Sequence, residues 1–372
     1  MRRLAFALLL AALMGGCSLG NDNNGRPPQL GVDANDDQAA AKLGFPSSAT
    51  RNTVRVGGAD ATGDAAGVAS ALYPATGSAD RPTAVVLVDQ DDWQSAIAAS
   101  VLAGPPIGAP LLLTDGADLP SVSRQTLDDL QPKGSDLSKD AQVIRIGQNV
   151  ARPDGYRTAV VQGDDAYERA AAIDRFFSAA RGKPSAAVVL YSGETAAWGM
   201  PAAAWAARSG DAALPVKKGS IPKPVAEALR AHEGADVYLL GPPSVISKKV
   251  EDQLRSTKLA RSVTRISGAT PVENAIAFAR YEKGDFGWGI VVPGYNFAIA
   301  NLDRPLDAAA AASLATRGVF APLLLTDDAK ELPGPLESYL LSVQPGYEDD
   351  PGQAVGVVGQ QQRREHAAGG ER

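Results

Sequence analysis

The segment Ala109-Pro110-Leu111-Leu112-Leu113-Thr114-Asp115 returns as Ala321-Pro322-Leu323-Leu324-Leu325-Thr326-Asp327, 212 residues further along the chain. Each copy is followed within a few residues by Leu-Pro, at Leu119-Pro120 and Leu332-Pro333. Seven identical residues at such a separation point to internal duplication, and a duplication constrains the fold before any single element is read. Half the separation falls near residue 215, where Ala213-Leu214-Pro215-Val216-Lys217-Lys218 reads as a worn middle copy. A second marker agrees: Gly58, Gly163 and Gly268 are each 105 residues apart and each follows an apolar strand-like run. The chain therefore reads as three tandem units, at 52–150, 155–256 and 261–360. A period of that size is a small domain and too long for a solenoid repeat. Three such copies can close about a pseudo-threefold axis, the one-chain analogue of a symmetric trimer.

Within each unit, short apolar runs alternate with helical stretches. In the first, strands are expected at 53–60, 84–89, 110–114 and 141–147, with helices at 65–72, 94–102 and 121–130. In the second, strands are expected at 158–164, 186–192, 214–217 and 236–241, with helices at 167–180, 203–208, 225–232 and 245–256. In the third, the expected strands are 263–269, Ile290-Val291-Val292-Pro293, 322–326 and 354–359, with a helix at 272–281. Continuous apolar runs of strand length suit parallel strands covered on both faces. The fold class is α/β, each unit a small parallel sheet flanked by helices.

The ends read differently. Arg2 and Arg3 precede an apolar run too short to span a bilayer, so residues 1–16 read as a signal peptide. Leu13-Met14-Gly15-Gly16-Cys17 resembles a bacterial lipoprotein signal, which implies a diacylglycerol on Cys17 and cleavage before it. Cys17 is the only cysteine, so no internal disulfide can form. Residues 17–51 lack apolar periodicity and read as a tether reaching roughly 30 Å as a flexible coil. Residues 361–372 are polar and read as a disordered tail. Loss of Arg2 and Arg3 takes the net charge from −6 to −8. Without a basic tract, nucleic acid is not an expected partner.

Catalytic constellations are absent from the sequence. Asp89, Asp91 and Asp92 at a strand end have the look of a magnesium site. However, the second unit has Ser192-Gly193-Glu194 there, and Asp92 suits a helix N-cap. His232 and His366 are the only histidines, one on a helix and one in the tail, which argues against a histidine-based triad or zinc site. No Gly-x-Ser-x-Gly elbow or phosphate-binding loop occurs. The expectation is a non-enzymatic protein with no cofactor and no metal.

The order of motifs resembles the type 2 cell-wall-binding repeat, which occurs in threes on clostridial surface-layer proteins. The resemblance rests on Arg55-Val56-Gly57-Gly58-Ala59-Asp60 and Arg265-Ile266-Ser267-Gly268 as opening strands. It rests also on Asp91-Asp92-Trp93 and Tyr295-Asn296-Phe297 as turns, and on Pro110–Thr114 and Pro322–Thr326 as the Pro-Ile-Leu-Leu anchor with Leu for Ile. Ile144-Arg145-Ile146-Gly147 and Tyr238-Leu239-Leu240-Gly241 match its closing strand. The second unit lacks both the opening Arg and the triple leucine. The resemblance implies an envelope protein held on anionic wall polymer, here lipid-anchored at the outer face of the cell membrane. Leu111, Leu112, Leu113, Leu323, Leu324 and Leu325 form the anchor strand that the resemblance implies matters for anchoring. On physical grounds they are buried and hold the sheet, because a dry leucine strand cannot itself bind a charged glycan. Ligand contacts then fall to loops at the strands' C-terminal ends, where Arg55, Arg145, Lys217, Lys218 and Arg265 could meet anionic groups. Two alternatives are a protein-interaction scaffold binding another envelope protein and the solute-binding subunit of a transporter. The latter predicts two lobes around a cleft.

Overall fold

The computed structural model describes residues 48–49, 54–56, 60–138, 140–316, 321–328 and 331–344. Cys17, the signal segment, most of the tether, the expected strand at 354–359 and the tail lie outside the described residues.

In chain order, the first elements are β1 (Ser48–Ala49), β2 (Val54–Arg55), α1 (Ala61–Leu72), β3 (Val85–Asp89), α2 (Trp93–Ala99), β4 (Leu111–Thr114), α3 (Ser121–Leu130) and β5 (Val143–Ile146). Next come β6 (Thr158–Val161), α4 (Ala166–Arg181), β7 (Ala187–Ser192), α5 (Ala196–Ser209), β8 (Ala212–Val216), α6 (Lys223–Ala231), β9 (Asp236–Leu240) and α7 (Lys248–Ser256). The last are β10 (Ser262–Ile266), α8 (Pro271–Arg280), β11 (Glu282–Lys283), β12 (Phe286–Gly287), β13 (Ala298–Asn301), α9 (Pro305–Ala311), β14 (Leu323–Thr326) and α10 (Gly334–Val343). Among the described residues no helix is long and apolar enough to cross a membrane.

Among the described residues the parallel strands form two four-stranded sheets of the same order, β4-β3-β5-β6 and β8-β7-β9-β10, and a two-stranded pair, β14-β13. These small parallel sheets flanked by helices are the expected α/β fold. Their membership differs from the linear reading in one respect. β6 and β10 were expected to open the second and third units, but each pairs with the preceding sheet, β6 on β5 and β10 on β9. A parallel neighbour needs only matching register, and the chain supplies it by crossing from one sheet to the next helix layer. A second correction concerns the third sheet. The expected strand Ile290-Val291-Val292-Pro293 is not one; Ala298–Asn301 pairs with the anchor strand instead. Tyr295-Asn296-Phe297 accordingly precedes the strand and does not form the turn after it. Val291 and Val292 are more than half exposed, so their hydrophobicity misled the reading.

The anchor segments are buried strands. Leu112, Leu113, Leu324 and Leu325 are fully buried, and Leu111 and Leu323 nearly so. Truncating such a leucine to Ala costs about 2–5 kcal/mol. The place of the triple leucine in the second sheet is taken by β8, which ends in the same antiparallel bridge: Asp115 pairs with Asp118, and Lys217 with Ser220.

Helix starts also recur. Asp60, Asp165 and Thr270, 105 residues apart, cap α1, α4 and α8 by accepting from the backbone N–H three residues on. Gly163 and Gly268 explain the glycine spacing. A Cβ at Gly163 would lie 2.5 Å from Arg169 N, and one at Gly268 would lie 2.3 Å from the Glu273 carbonyl carbon. Only glycine lets the strand end approach the helix backbone so closely.

At the centre, α2, α5 and α9 pack against one another. All three are rich in buried alanine: Ala96, Ala98 and Ala99; Ala202, Ala203, Ala206 and Ala207; and Ala308, Ala309 and Ala310. Around them, α4 packs on α2, α8 on α5, and α1 on α9. The described residues thus surround three central helices and do not form two lobes about a cleft.

Each of these outer contacts carries a different polar pair at the position six residues after the glycine marker. Arg169 Nε meets Asp92 Oδ2 at 2.7 Å and Ser95 Oγ at 3.0 Å. Asn274 Nδ2 donates to the Trp198 carbonyl at 3.4 Å. At the third contact the polarity reverses: Asp64 on α1 accepts from Arg304, whose Nε also pairs with Asp307 at 2.8 Å. Burial, together with the Asp64 charge and against the pull of Arg304, pushes the Asp307 carboxyl up to about 7. Arg304→Asp should therefore place a third carboxylate beside Asp64 and Asp307 and lower stability by roughly 1 kcal/mol or more. Adding Asp64→Arg recreates the Arg–Asp polarity of the first contact, so the double variant should unfold at a higher urea concentration than Arg304→Asp alone.

Candidate functional site

The C-terminal ends of parallel strands gather loops and exposed backbone donors. At the end of β7 and β8 these loops meet those of the first sheet. Ser192 Oγ accepts from the N–H of Glu194 at 3.1 Å and of Thr195 at 3.0 Å, which fixes the turn into α5. Gly193 permits the close approach of Tyr167, since a Cβ there would lie 2.9 Å from its hydroxyl oxygen. The Lys217 ammonium stands 5.7 Å from the centre of the Tyr167 ring. Lys218 N donates to Glu194 Oε2 at 3.1 Å. From the first sheet, Gln94 donates to the Gly193 carbonyl at 3.2 Å, and its own carbonyl accepts from the buried Tyr191 hydroxyl at 2.7 Å. Burial, then the charges of Glu194 and Asp165, raise the Tyr167 hydroxyl above its ordinary pKa, so it stays a neutral donor at physiological pH.

This rim joins a half-exposed aromatic ring, two exposed ammonium groups and fixed amide and carbonyl edges. It can stack an apolar face, donate hydrogen bonds to hydroxyls and meet an anion. Nothing in it is arranged as a nucleophile with a base.

The five basic residues singled out in the sequence occupy unlike surroundings. Lys217 and Lys218 belong to this rim. The Arg145 guanidinium is taken up by the carbonyls of Gln148, Val150 and Ala151. Arg265 donates to the Gly241 carbonyl at 2.7 Å and pairs with Glu251 at 3.0 Å. Both therefore hold loops and helices onto their sheets. The surroundings of the Arg55 side chain lie outside the described residues. Tyr167, Gln94 and Gly193 were not legible as site residues, because Gln94 and Gly193 meet across 99 positions of sequence.

The aspartates at the end of β3 are also engaged. Asp89 accepts from the N–H of Asp91 and of Gly116, and Asp92 caps α2 by accepting from Ser95 N. Among the described residues no group of three or more His, Cys, Asp or Glu is placed to hold a metal ion.

One buried polar cluster went unforeseen. His232, at the end of α6, has Nε2 2.9 Å from both Asp174 oxygens and Nδ1 2.9 Å from the Ser185 carbonyl. A Ser, a His and an Asp thus converge, but not as a hydrolytic triad. The imidazole faces the serine's carbonyl most closely, and the Ser185 hydroxyl donates to the Ala187 carbonyl at 2.7 Å. Burial opposes a charge on His232, yet Asp174, the Ser185 carbonyl and Asp211 together outweigh it and raise its pKa. Because the folded pKa lies above the ordinary value near 6.5, the stabilisation is complete below that value. It is lost as pH rises through the folded pKa. Urea unfolding at a series of pH values should show stability falling on the alkaline side of about 6.5, and His232→Gln should flatten that dependence.

Comparison with known proteins follows the same lines. The family model for cell wall binding domain 2 (CWB2) matches residues 161–251, from the last residue of β6 into α7. Two solved structures are similar in fold. Cwp6 from Clostridium difficile aligns with a TM-score of 0.63 and 21% identity, over 78% of this chain and 43% of that one. Cwp8 from Clostridium difficile aligns with a TM-score of 0.59 and 21% identity, over 77% of this chain and 46% of that one. The chain thus spans less than half the length of either structure. No curated protein matches it.

Proposed function

We propose that this is a non-enzymatic protein of the bacterial envelope that binds cell-wall polymer through three tandem repeat units and is tethered to the outer face of the membrane by lipid on Cys17. The observation that carries the reading is the CWB2 match over 161–251. Support for repetition comes from the hydrogen bonds that recur outside that span. Gln90, Gly193 and Leu302 each donate from the backbone to the last residue of the neighbouring anchor strand, Thr114, Val216 and Thr326. The units run approximately over 52–150, 155–256 and 261–360, the first two sheets each accepting a fourth strand from the unit that follows.

Wall contact is assigned to the rim around Tyr167, Lys217 and Lys218, where ammonium groups and an aromatic face stand together. The test is co-sedimentation of the protein with purified walls, before and after chemical removal of their anionic polymers. Binding should require those polymers and weaken with salt, as expected of exposed charges. Lys217→Glu with Lys218→Glu should lower the affinity severalfold without changing the melting temperature, because both side chains are exposed. Binding indifferent to polymer removal or to both lysines would favour a scaffold for another envelope protein.

The lipid is tested separately. Intact mass of the membrane-extracted protein should correspond to a chain starting at Cys17 and carrying acyl groups. Two chains of a diacylglycerol suffice for stable anchoring.

A further inference from the structure

The second unit carries a helix that the first lacks. Residues 147–157 join β5 to β6 without a helix, whereas the longer stretch 241–261 joins β9 to β10 and holds α7. The added helix begins at the strand-end rim, beside the loop after β8. Ser247 N donates to the Lys218 carbonyl at 2.9 Å, and Ile221 N donates to Gln253 Oε1 at 3.5 Å. Lys248 and Lys249, the first two residues of α7, thereby adjoin Lys217 and Lys218, and all four are exposed.

Neither lysine pair serves the fold. Cations in a first helical turn oppose the helix dipole, which favours anions at that end. Ser247 stands at the N-cap, yet its hydroxyl makes no capping bond. The turn after β8 closes through a bridge between Lys217 and Ser220, and the first sheet closes the same turn with Asp115 and Asp118. The backbone there does not require lysine. Glu251 of α7 is taken up by Arg255 and Arg265, and Glu194 accepts from the Lys218 backbone N–H. A local arrangement that breaks helix and charge rules without structural return marks a binding surface.

We propose that Lys248 and Lys249 extend the rim of Tyr167, Lys217 and Lys218 into a track for a polyanion, an anionic wall polymer whose charges recur along its length and meet both lysine pairs at once. This rests on the wall-contact reading above and deepens it: the ligand is held by several recurring charges, not by one terminal group. All five residues fall within the CWB2-matched span, 161–251. A chain that passes from Tyr167 over Lys217 and Lys218 to the start of α7 also meets the positive end of that helix. Contacts made by one polymer at linked points reinforce each other.

Co-sedimentation of the full-length protein with purified walls, at low and at raised salt, tests this. Lys248→Glu with Lys249→Glu should lower the affinity severalfold and make the remaining binding less sensitive to salt. The melting temperature should not fall, because glutamate suits a helix start. Lys133→Glu with Lys183→Glu makes the same charge change in exposed loops that lead into β5 and β7, at the opposite end of the strands, and should leave binding unchanged. Fragments of the released wall polymer should displace the protein, whereas inorganic phosphate at the same charge concentration should not. Unchanged affinity in the Lys248 and Lys249 variant, while Lys217→Glu with Lys218→Glu weakens binding, overturns the track and leaves wall contact at the rim standing. Equal loss in the Lys133 and Lys183 variant overturns it too, as does displacement by inorganic phosphate as readily as by polymer. If the unsubstituted protein shows no binding that depends on the anionic polymer, the track falls together with the reading it rests on.

Discussion

The close packing of α2, α5 and α9 is the constraint on which the rest depends. Three helices can share one centre only if their facing side chains are small, and buried alanines meet that requirement. The fit is tight at the edges as well: a Cβ at Gly104 would lie 2.2 Å from the Ala207 carbonyl oxygen. Each central helix also covers the strands beside it, so the position of every sheet follows from the helix it lies against. The rich alanine content is therefore an architectural requirement, and a larger residue at the centre would push three sheets apart at once.

A centre made only of alanine would not say which unit sits beside which. The polar pairs around it do. Arg169 meets Asp92, Asn274 meets the Trp198 carbonyl, and Asp64 meets Arg304. If the order were changed, Arg169 could face Arg304, or Asp64 could face Asp92, and like charges would meet in partly buried surroundings. Specificity here comes as much from the penalty on wrong neighbours as from the attraction between right ones. The reversal of sign between the first and third contacts sets closure of the chain on itself apart from continuation into another copy.

The elements that the sequence made legible are those whose signal is local. The leucine anchors, the helix at 121–130 and the Asp92 cap needed only neighbouring residues to be read. The glycine period was equally plain, and the reason for it is the approach of strand end to helix backbone at Gly163 and Gly268. What failed had a non-local cause. Val291 and Val292 have strand-like composition but are more than half exposed, while Ala298–Asn301 is a strand because it lies beside β14. The transfer of β6 and β10 to the preceding sheet is invisible to periodicity, which reports that a strand exists and not where it pairs. His232 looked isolated because its partners Asp174 and Ser185 are 58 and 47 residues away. Arg145 and Arg265 looked like free cations because their partners are mostly carbonyls, which composition does not register.

The three proposed units share backbone contacts but not rim chemistry, and on the proposed reading that limits how the protein could hold a polymer. The glycine marker makes Tyr167 equivalent to Thr62 and Val272, both buried and neither aromatic. The anchor strand makes Lys217 equivalent to Asp115 and Asp327, which are exposed carboxylates. An anionic chain on this rim would thus meet an ammonium beside an aromatic ring at one corner and a carboxylate at the corresponding places of the other two. Three equal sites would bind with multiplied strength but in no preferred orientation. On that proposal, one favourable corner among two unfavourable ones would give weaker attachment with a defined orientation, since repulsion removes the alternatives. A second means of attachment, such as lipid on Cys17, would make such weak but oriented contact sufficient, because the tether keeps the rim within reach of the wall.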